Sequence, residues 1–413
     1  MNIWLVMSGE PLEQFEERPH RIGILSKMLV ELGHEVTWWT TSYDHQYKKY
    51  LYEETTEVKN KFGINMIFLH SSTPYIKNIS FNRMKNHREV AIKFRYIASQ
   101  KKKPDIILSA FPTIDLANEA VIYGKKSNIP TMIDIRDLWP QIFFDPFPKI
   151  LYPFMKIFLS NYIKQTKNIF SSATVISGVS EKYLQYGLEY VHRKKTQLDR
   201  VYPLAYHKIQ LEDKIYEECK LKFKELGIDT TKKIVWFVGT FGQTYDLTLV
   251  IDSIKNISDL DNVQFVFTGD GEKAEEWKKL SKNIENIKFT GWVNQDDLLY
   301  LANIADIGLM AYRKGAPQGL PNKIFEYMAF GLPILSSLEG ETATILHEEK
   351  IGFTYSNKKD FEKYLMKILK DENLYNNFSK NAEKVYNENF SAKKVYGEMI
   401  EHLKIVVKEY KNV

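Results

Sequence analysis

Short runs of consecutive apolar residues alternate with longer amphipathic stretches along most of this chain. In the first half these runs are NIWLVM (2–7), EVTWWT (35–40), INMIFL (64–69), DIILSA (105–110), TMIDI (131–135) and ATVIS (173–177). Apolar residues on consecutive positions are typical of parallel strands that are covered on both faces. Helical stretches, for example 20–33, 83–100 and 114–127, lie between the runs. The repeated β-α order predicts an α/β fold with a doubly wound sheet.

The same order begins again in the second half of the chain. RVYPLAYHK (200–208) contains a proline and has no strong helical pattern, so we interpret it as a linker. The predicted strands that follow are 232–240, 263–272, 287–293, 305–312 and 332–337. We therefore predict an N-terminal α/β domain at 1–203 and a C-terminal one at 204–391. A last helix within 392–413 is expected to pack back on the first domain.

Ligands of open α/β sheets bind beyond the carboxyl ends of the strands. With two such domains facing each other, the expected ligand site is the cleft between them. The loops that directly follow predicted strands are 8–10, 136–140, 239–242, 269–271, 291–293 and 313–326. Four of them place a glycine after the strand, which lets backbone N–H groups approach a phosphate without a side chain in the way.

The bulk composition is that of an ordinary globular protein, with 44% hydrophobic and 26% charged residues. One cysteine in 413 residues excludes a disulfide framework within the chain and fits a reducing, cytoplasmic setting. No run of 18 apolar residues predicts a spanning helix, and the N-terminus reads as a first strand rather than a signal peptide.

The net charge of +5 is unevenly distributed, because the first 205 residues carry 28 Lys and Arg against 20 Asp and Glu. This excess suggests an anionic partner, such as a membrane surface or a phosphorylated substrate, although scattered solvated lysines explain it equally well. Several enzyme classes are disfavoured by missing motifs. The first strand lacks the G-x-G-x-x-G of NAD-binding folds, and no HExxH, CxxC, G-x-S-x-G or Walker A pattern is present.

A specific resemblance emerges from the order VWFVGTF…FVFTGDGE…IKFTGWV…LLYLANIADIGLMAY…GLPNKIFEYMAFGLPILSS in the second half. This run is similar to retaining glycosyltransferases of family 4, which have the GT-B fold of two facing Rossmann-like domains. In the first half GEPL (9–12), LGHEVTWWT (32–40) and DIRDLWPQ (134–141) look like the branch of that family that builds bacterial surface polysaccharides. Within the last stretch, RDLWP resembles the amino-sugar transferases of that branch.

The resemblance implies a hexosyl- or N-acetylhexosaminyltransferase. It would move a sugar from a UDP-linked donor to a saccharide acceptor that is lipid-linked, with retention and without a metal or other cofactor. The first domain would bind the acceptor and the second the donor. Two alternatives stay open: a UDP-sugar epimerase of the same fold, and a nucleotide-sugar-binding subunit without turnover. No nucleic acid is expected as a partner.

The resemblance also assigns residues, with two departures from the family pattern. Glu326 matches the glutamate that holds the donor ribose. The glutamate that contacts the donor sugar falls on Gln318, a neutral residue. The basic residues that usually hold the diphosphate after FVG are missing from GTFGQTYDL, so we assign that charge to Lys323, with Arg313 nearby. Pro321 at the helix start leaves a row of backbone N–H donors that attracts phosphate.

The complete predicted site extends over both domains. Its catalytic residues are Lys323, Arg136 and Asp137. Its donor-binding residues are Gly9, Glu10, Thr240, Gly242, Gly269, Trp292, Val293, Arg313, Asn322, Lys323 and Glu326, with Gln318, Gly319 and Leu320 on the sugar side. Alternatives are an i,i+3 surface ion pair for Lys323 and Glu326, and a structural pair for Arg136 and Asp137.

The stretch FDPFPKILYPFMKIFLSNYIKQTKNIF (144–170) is rich in aromatic, aliphatic and lysine residues and nearly free of acids. Aromatic and basic residues at helical spacing suit a membrane interface. A core helix with a few lysines on its solvent face is the alternative. Peripheral attachment to the inner membrane surface is therefore an open prediction.

Overall fold

The computed structural model of the protein describes residues 1–12, 19–77, 80–144, 147–316 and 319–412. The chain divides into two compact units, one formed by 1–204 with 395–413 and the other by 205–394. Each unit is built on its own sheet.

The first unit contains an eight-stranded sheet and a separate two-stranded ribbon. The strands are Asn2–Val6 (β1), Glu35–Thr41 (β2), Tyr43–Asp44 (β3), Lys49–Tyr50 (β4), Thr56–Lys59 (β5), Asn65–Leu69 (β6), Ile106–Phe111 (β7), Thr131–Ile135 (β8), Val175–Gly178 (β9) and Arg200–Val201 (β10). The order in the large sheet is β10-β9-β8-β7-β1-β2-β6-β5. All its neighbours pair in parallel except the edge strand β5, which is antiparallel to β6.

Helices of the first unit follow β1, β6, β7, β8 and β9. They are Arg21–Glu31 (α1), Phe81–Ala98 (α2), Ile114–Ser127 (α3), Tyr152–Phe158 (α4), Ser160–Ser172 (α5) and Glu181–Tyr190 (α6). Its core includes an apolar cluster around Trp4, Trp39 and Phe94 and another around Ile133 and Phe170.

The second unit has a six-stranded sheet whose pairings are all parallel. Its strands are Lys233–Val238 (β11), Val263–Thr268 (β12), Ile287–Gly291 (β13), Ile307–Met310 (β14), Ile334–Ser336 (β15) and Gly352–Thr354 (β16). The strand order is β13-β12-β11-β14-β15-β16.

The helices of the second unit complete its β-α repeat. They are Asp213–Glu225 (α7), Thr248–Ile254 (α8), Ala274–Leu280 (α9), Gln295–Ile304 (α10), Asn322–Ala329 (α11), Glu341–Glu348 (α12), Lys358–Lys370 (α13) and Glu372–Val385 (α14). The last helix, Ala392–Lys411 (α15), belongs to the first unit from Val395 onward.

The prediction of an α/β fold with doubly wound parallel sheets is confirmed, and each apolar run of the sequence overlaps a strand. Strand β5 was not predicted, because its sequence TEVK has no apolar run and lies half exposed at the sheet edge. No helix in the described part of the chain is long and apolar enough to cross a membrane.

Both large sheets reverse their winding direction once. In the first sheet the reversal lies between β1 and β7, and in the second it lies between β11 and β14. Such topological switch points open a crevice at the carboxyl ends of the strands, where α/β proteins bind ligands. The fold therefore predicts one ligand-binding crevice in each unit.

Candidate functional site

Backbone hydrogen bonds join the strand-end loops around the switch point of the second unit. The N–H of Gly239, after β11, donates to the carbonyl of Thr268 at the end of β12 (2.9 Å). Across the switch point the N–H of Asp246 donates to the carbonyl of Ala311 (3.0 Å). The loops after β11, β12 and β14 thus form one connected edge.

Position 269 in this edge requires a glycine, because of its backbone conformation and its close contacts. Its φ is +134°, a region that side chains rarely adopt, and a Cβ there would overlap the carbonyl oxygen of Gly239. Its N–H donates to the carbonyl of Gly291 (3.0 Å). The glycine predicted to contact a phosphate therefore also has a structural role in the close approach of two loops.

Helix α11 is attached to the sheet directly below the switch point. The hydroxyl of Tyr327 donates to the carbonyls of Trp236 (3.2 Å) and Leu309 (3.1 Å), which belong to β11 and β14. Gly308 leaves room for the Tyr327 ring, which a Cβ would overlap. The helix begins after Pro321, and no described side chain caps it. The N–H of Ile324 donates to the carbonyl of Pro321, so Asn322 and Lys323 present the backbone N–H groups of the first turn at the edge.

Lys323, in the first turn of α11, extends into a pocket of aromatic rings. Its Nζ lies 4.0 Å from the ring centre of Tyr245, 4.4 Å from that of Phe237 and 5.6 Å from that of Tyr312. A Cβ on Gly239 would be 2.9 Å from this nitrogen, so the glycine makes room for it. Within the described residues the Nζ has no hydrogen-bond partner, although the side chain is only 6% exposed. The ring faces stabilise the ammonium without supplying an oxygen acceptor for its N–H groups.

Burial changes the acid–base behaviour of Lys323. Loss of solvent lowers the pKa of its ammonium to about 7, although the negative charge of Glu326 raises that pKa in part. Glu326 lies three residues further along the helix and is equally buried. The alternative of an exposed surface ion pair is therefore wrong, because neither side chain is on the surface.

The other predicted donor residues of this unit lie on or near the same edge with differing exposure. Those with exposed side chains are Thr240, Trp292, Arg313 and Asn322, and those that are half-buried are Gly242, Val293, Gly319 and Leu320. Gln318 lies outside the described residues. The roles assigned to all of them stay predictions.

Gly319 is in contact with the start of helix α12. Its carbonyl accepts a hydrogen bond from the hydroxyl of Thr342, and a Cβ on Gly319 would overlap the carboxylate of Glu341. A buried threonine and a half-buried carboxylate therefore fix this end of the loop.

The predicted residues of the first unit form a hydrogen-bonded group of their own. One carboxylate oxygen of Glu10 accepts from the N–H groups of Ile22 (2.8 Å) and Gly23 (3.0 Å) in the first turn of α1. The other oxygen pairs with Arg136 at 2.9 Å, and Gly9 precedes it with φ +76°. Glu10 thus stabilises a helix N-terminus and positions the guanidinium of Arg136.

Asp137 accepts hydrogen bonds from residues other than Arg136, the partner that a structural pair would require. Its carboxylate accepts from the N–H of Leu138 (2.8 Å) and from the indole N–H of Trp139 (3.1 Å). Burial raises the pKa of this carboxyl above its ordinary value. The structural partner of Arg136 is therefore Glu10, whereas Asp137 holds the following turn.

The aromatic pocket around Lys323 was not predicted from the sequence. Tyr245 and Tyr312 do lie in or next to loops that follow strands, which is the signal that identifies them in retrospect. A second group, formed by His45, Tyr75 and residues of α2 in the first unit, was also missed, because it is assembled from distant segments.

Comparison with known proteins identifies the class to which this second unit is related. Residues 220–385 match the family described as "Glycosyl transferases group 1". This span includes every strand of the second sheet and helix α11 with Lys323 and Glu326. This part of the chain is therefore similar to that family.

The curated relatives are similar over parts of their length. An uncharacterized glycosyltransferase of Methanocaldococcus jannaschii is 27% identical over 259 residues, which are 60% of this chain and 59% of that protein. The N-acetyl-alpha-D-glucosaminyl L-malate synthase of Bacillus anthracis is 23% identical over 42% of this chain and 45% of its own. The chain thus spans less than two thirds of each of these relatives.

Solved structures are similar over nearly the whole chain. The similarity to sucrose-phosphate synthase from Thermosynechococcus elongatus covers 99% of this chain and 99% of that one, with a TM-score of 0.71 and 14% identity. Anabaena HepE, solved in complex with UDP-glucose, covers 98% of this chain and 99% of its own with a TM-score of 0.64 and 15% identity. The fold is therefore GT-B, with two Rossmann-like units.

Proposed function

We propose that this protein is a retaining glycosyltransferase of family 4. It transfers a hexose or N-acetylhexosamine from a UDP-sugar to a saccharide acceptor that is lipid-linked, in the synthesis of a bacterial surface glycan. The observation that carries the proposal is the buried ammonium of Lys323, which lies beside Gly239 at the switch-point edge, in the first turn of α11. The complexes of HepE with UDP and UDP-glucose support a nucleotide-sugar as the donor.

Lys323 and the first-turn N–H groups of α11 would hold the diphosphate. Helix N-termini and preplaced cations both favour an anion, and neither requires a metal ion. Negative charge grows on the leaving phosphate as the glycosidic bond breaks. An ammonium held beside it in a site of low polarity therefore binds the transition state more strongly than the ground state.

Retention would follow from a reaction on one face of the sugar. The leaving phosphate oxygen accepts the proton of the attacking hydroxyl, so the protein supplies position and charge rather than a strong base. Arg136, held by Glu10, and Asp137, held by the Trp139 turn, are then positioning or acceptor-contacting groups of the first unit.

Glu326 is proposed to accept hydrogen bonds from the donor ribose. We expect Glu326→Ala to raise KM for the donor by about 10- to 150-fold, since a hydrogen bond to a charged group contributes about 1.5–3 kcal/mol. The value of kcat should change much less, because ribose contacts alter little during bond cleavage. Steady-state kinetics with a varied donor concentration measure both. Glu339→Ala, which removes an exposed carboxylate of the same unit, is the matched control and should behave like wild type.

The function itself is tested by offering nucleotide-sugars to the purified chain. A donor that binds raises the melting temperature by mass action. Incubation with membrane extracts and NMR of the product then reports transfer and anomeric configuration. Sugar interconversion without an acceptor would favour the epimerase. Binding without turnover in any extract would favour the non-catalytic subunit.

A surface of the first unit supports a membrane-bound acceptor. Helix α4 has no buried residue, and the apolar side chains Ile150, Phe154 and Ile157 are 81%, 71% and 74% exposed. Helix α5, by contrast, buries Tyr162, Thr166, Ile169 and Phe170. The core-helix alternative for 144–170 thus holds for α5 and fails for α4. We call residues 147–158 the apolar surface, and Lys149 and Lys156 lie exposed within it.

We expect the apolar surface to bind anionic lipid bilayers. Phe154→Ser combined with Ile157→Ser should release the protein from phosphatidylglycerol vesicles in a sedimentation assay, because apolar area and basic residues together drive interfacial binding. Leu221→Ser, at an apolar residue of the second unit that is 63% exposed, is the control. Equal sedimentation of all three proteins would show that this surface does not contact lipid.

A further inference from the structure

The loop that follows β15, residues 337–340, lies at the same carboxyl edge of the second sheet as Lys323. β15 ends at Ser336 and is the neighbour of β14 in the sheet. The N–H of Ser337 donates to the carbonyl of Met310 (3.0 Å), and the hydroxyl of Ser337 donates to the carbonyl of Tyr312 (2.8 Å). The N–H of Tyr312 donates back to that hydroxyl (2.7 Å). The loop is thus held against the segment that carries one ring of the Lys323 pocket.

Helix α12 follows this loop, and its first residue is Glu341. The next residue, Thr342, is buried, and its hydroxyl donates to the carbonyl of Gly319. Gly319 belongs to the segment 318–320, which the resemblance assigns to the donor sugar. The start of α12 is therefore fixed beside that segment.

The carboxylate of Glu341 lies directly against Gly319. A Cβ at position 319 would overlap Oε2 of Glu341 and would be 3.3 Å from its carboxyl carbon, so the glycine leaves room for the carboxylate. The Glu341 side chain is half-buried, and among the described residues it makes no hydrogen bond and no ion pair. Its oxygen atoms are therefore satisfied by solvent or by a ligand.

A structural role explains only part of this arrangement. Glu341 is an acid in the first turn of α12, where the helix N-terminus stabilises a negative charge. That role does not require contact with another loop. The contact with Gly319 is what brings the carboxylate of Glu341 to the segment assigned to the donor sugar.

We propose that Glu341 contacts the sugar of the donor and selects neutral sugars over anionic ones. The inference rests on the proposed function, in which residues 318–320 lie beside the donor sugar. A carboxylate accepts hydrogen bonds from sugar hydroxyls, and its charge repels the carboxylate of a uronate.

The sequence gives a reason why this chain would use Glu341. The glutamate that contacts the donor sugar in the family falls on Gln318, which has no charge. Glu341 would therefore bring a carboxylate to the sugar from a different segment of the chain. Glu341 is then a specificity-determining residue, and it takes no part in breaking the glycosidic bond.

The proposal is tested with UDP-glucose and UDP-glucuronate, which differ only at C6 of the sugar, and with UDP as the reference. The rise in melting temperature with ligand concentration gives the three dissociation constants. For wild type we expect UDP-glucuronate to bind at least tenfold more weakly than UDP-glucose, because like charges in a partly buried site repel each other. For Glu341→Gln we expect this ratio to fall below about threefold, with the affinity for UDP unchanged.

Glu348→Gln is the matched control, since it removes an exposed acid at the other end of α12 and should keep the wild-type ratio. Glu341→Ala is the second variant if Glu341→Gln does not fold, and it should narrow the ratio in the same way. A purely structural role would weaken all three ligands equally or lower only the melting temperature of the unliganded variant.

Two kinds of failure are distinguishable in this experiment. If UDP binds but the ratio is the same in wild type and in the Glu341 variants, the inference about Glu341 is overturned and the donor proposal stands. Equal affinity of wild type for the two UDP-sugars has the same meaning. If UDP itself does not bind to wild type, the donor proposal fails and the role of Glu341 fails with it.

Discussion

Replacing Lys323 by methionine should lower kcat by about 100- to 1000-fold, or roughly 2.7–4 kcal/mol in transition-state stabilisation. The methionine fills the aromatic pocket of Phe237, Tyr245 and Tyr312 but brings no charge to the departing diphosphate. Donor binding should weaken less than turnover, because the charge that Lys323 meets grows only as the bond breaks. Single-turnover kinetics and UDP titration measure the two effects separately.

The same variant should be at least as stable as wild type. The pKa of Lys323 is lowered from 10.5 to about 7 by burial, so between these values the unfolded chain holds a proton that the native protein does not. Native stability therefore rises with pH in this window, and the ammonium is a cost to folding near pH 7. Methionine removes that cost. A higher melting temperature together with lost turnover would separate a functional effect from misfolding.

Donor affinity should also depend on pH in a defined direction. The diphosphate binds the charged form of Lys323, whose population falls about tenfold for each pH unit above 7. The dissociation constant for UDP should rise correspondingly between pH 7.5 and 8.5, and Lys323→Met should not show this slope. Near-normal kcat in Lys323→Met together with inactivity of Arg313→Gln would instead assign the charge to Arg313.

The sequence predicts those parts of the fold whose residue pattern lies within one short segment of the chain. Buried parallel strands such as β1 and β12 are recognisable because every residue faces a covered side of the sheet. Strand β5 is not, because an edge strand with polar residues looks like a loop. The position of Lys323 and Glu326 on a helix after a strand was predictable for the same reason, since one short segment contains the whole signal.

Contacts between distant segments could not be predicted in this way. Glu10 and Arg136 are 126 residues apart, and nothing in either segment indicates that they pair. The pocket around Lys323 is likewise made by rings from β11, from the loop that follows it and from the loop after β14. Its low pKa is a consequence of that packing, so neither the aromatic walls nor the near-neutral lysine is visible in the motif that contains it.

Arg21 is the residue whose loss should destabilise the first unit most. It lies in the first turn of α1, 2% exposed, and its Nε is 2.9 Å from Asp134 Oδ2 in β8. Its Nη1 donates to the carbonyls of Tyr202 and Pro203, each at 2.9 Å. One side chain therefore joins the first helix to a central strand and to the last segment before the second unit.

We expect Arg21→Met to lower the free energy of unfolding by about 3–5 kcal/mol. The reason is less the lost attraction than the carboxylate of Asp134, which stays buried but loses its ion-pair partner. Hydrogen exchange of the β8 amides with increasing urea reports the loss in the first unit, while UDP binding shows that the second unit is intact. Arg200→Met makes the same substitution at an exposed site and is the control.

A double variant separates these two causes. Arg21→Met with Asp134→Leu removes the stranded carboxylate, and replacing a buried ion pair by apolar residues of similar size is often close to neutral. The double variant should therefore recover much of the stability that Arg21→Met loses. Ser177, whose hydroxyl donates to Asp134 at 3.1 Å, would then lose one partner, which limits the recovery by about 1 kcal/mol. If Arg21→Met is no less stable than Arg200→Met, the ion pair does not hold α1 on the sheet.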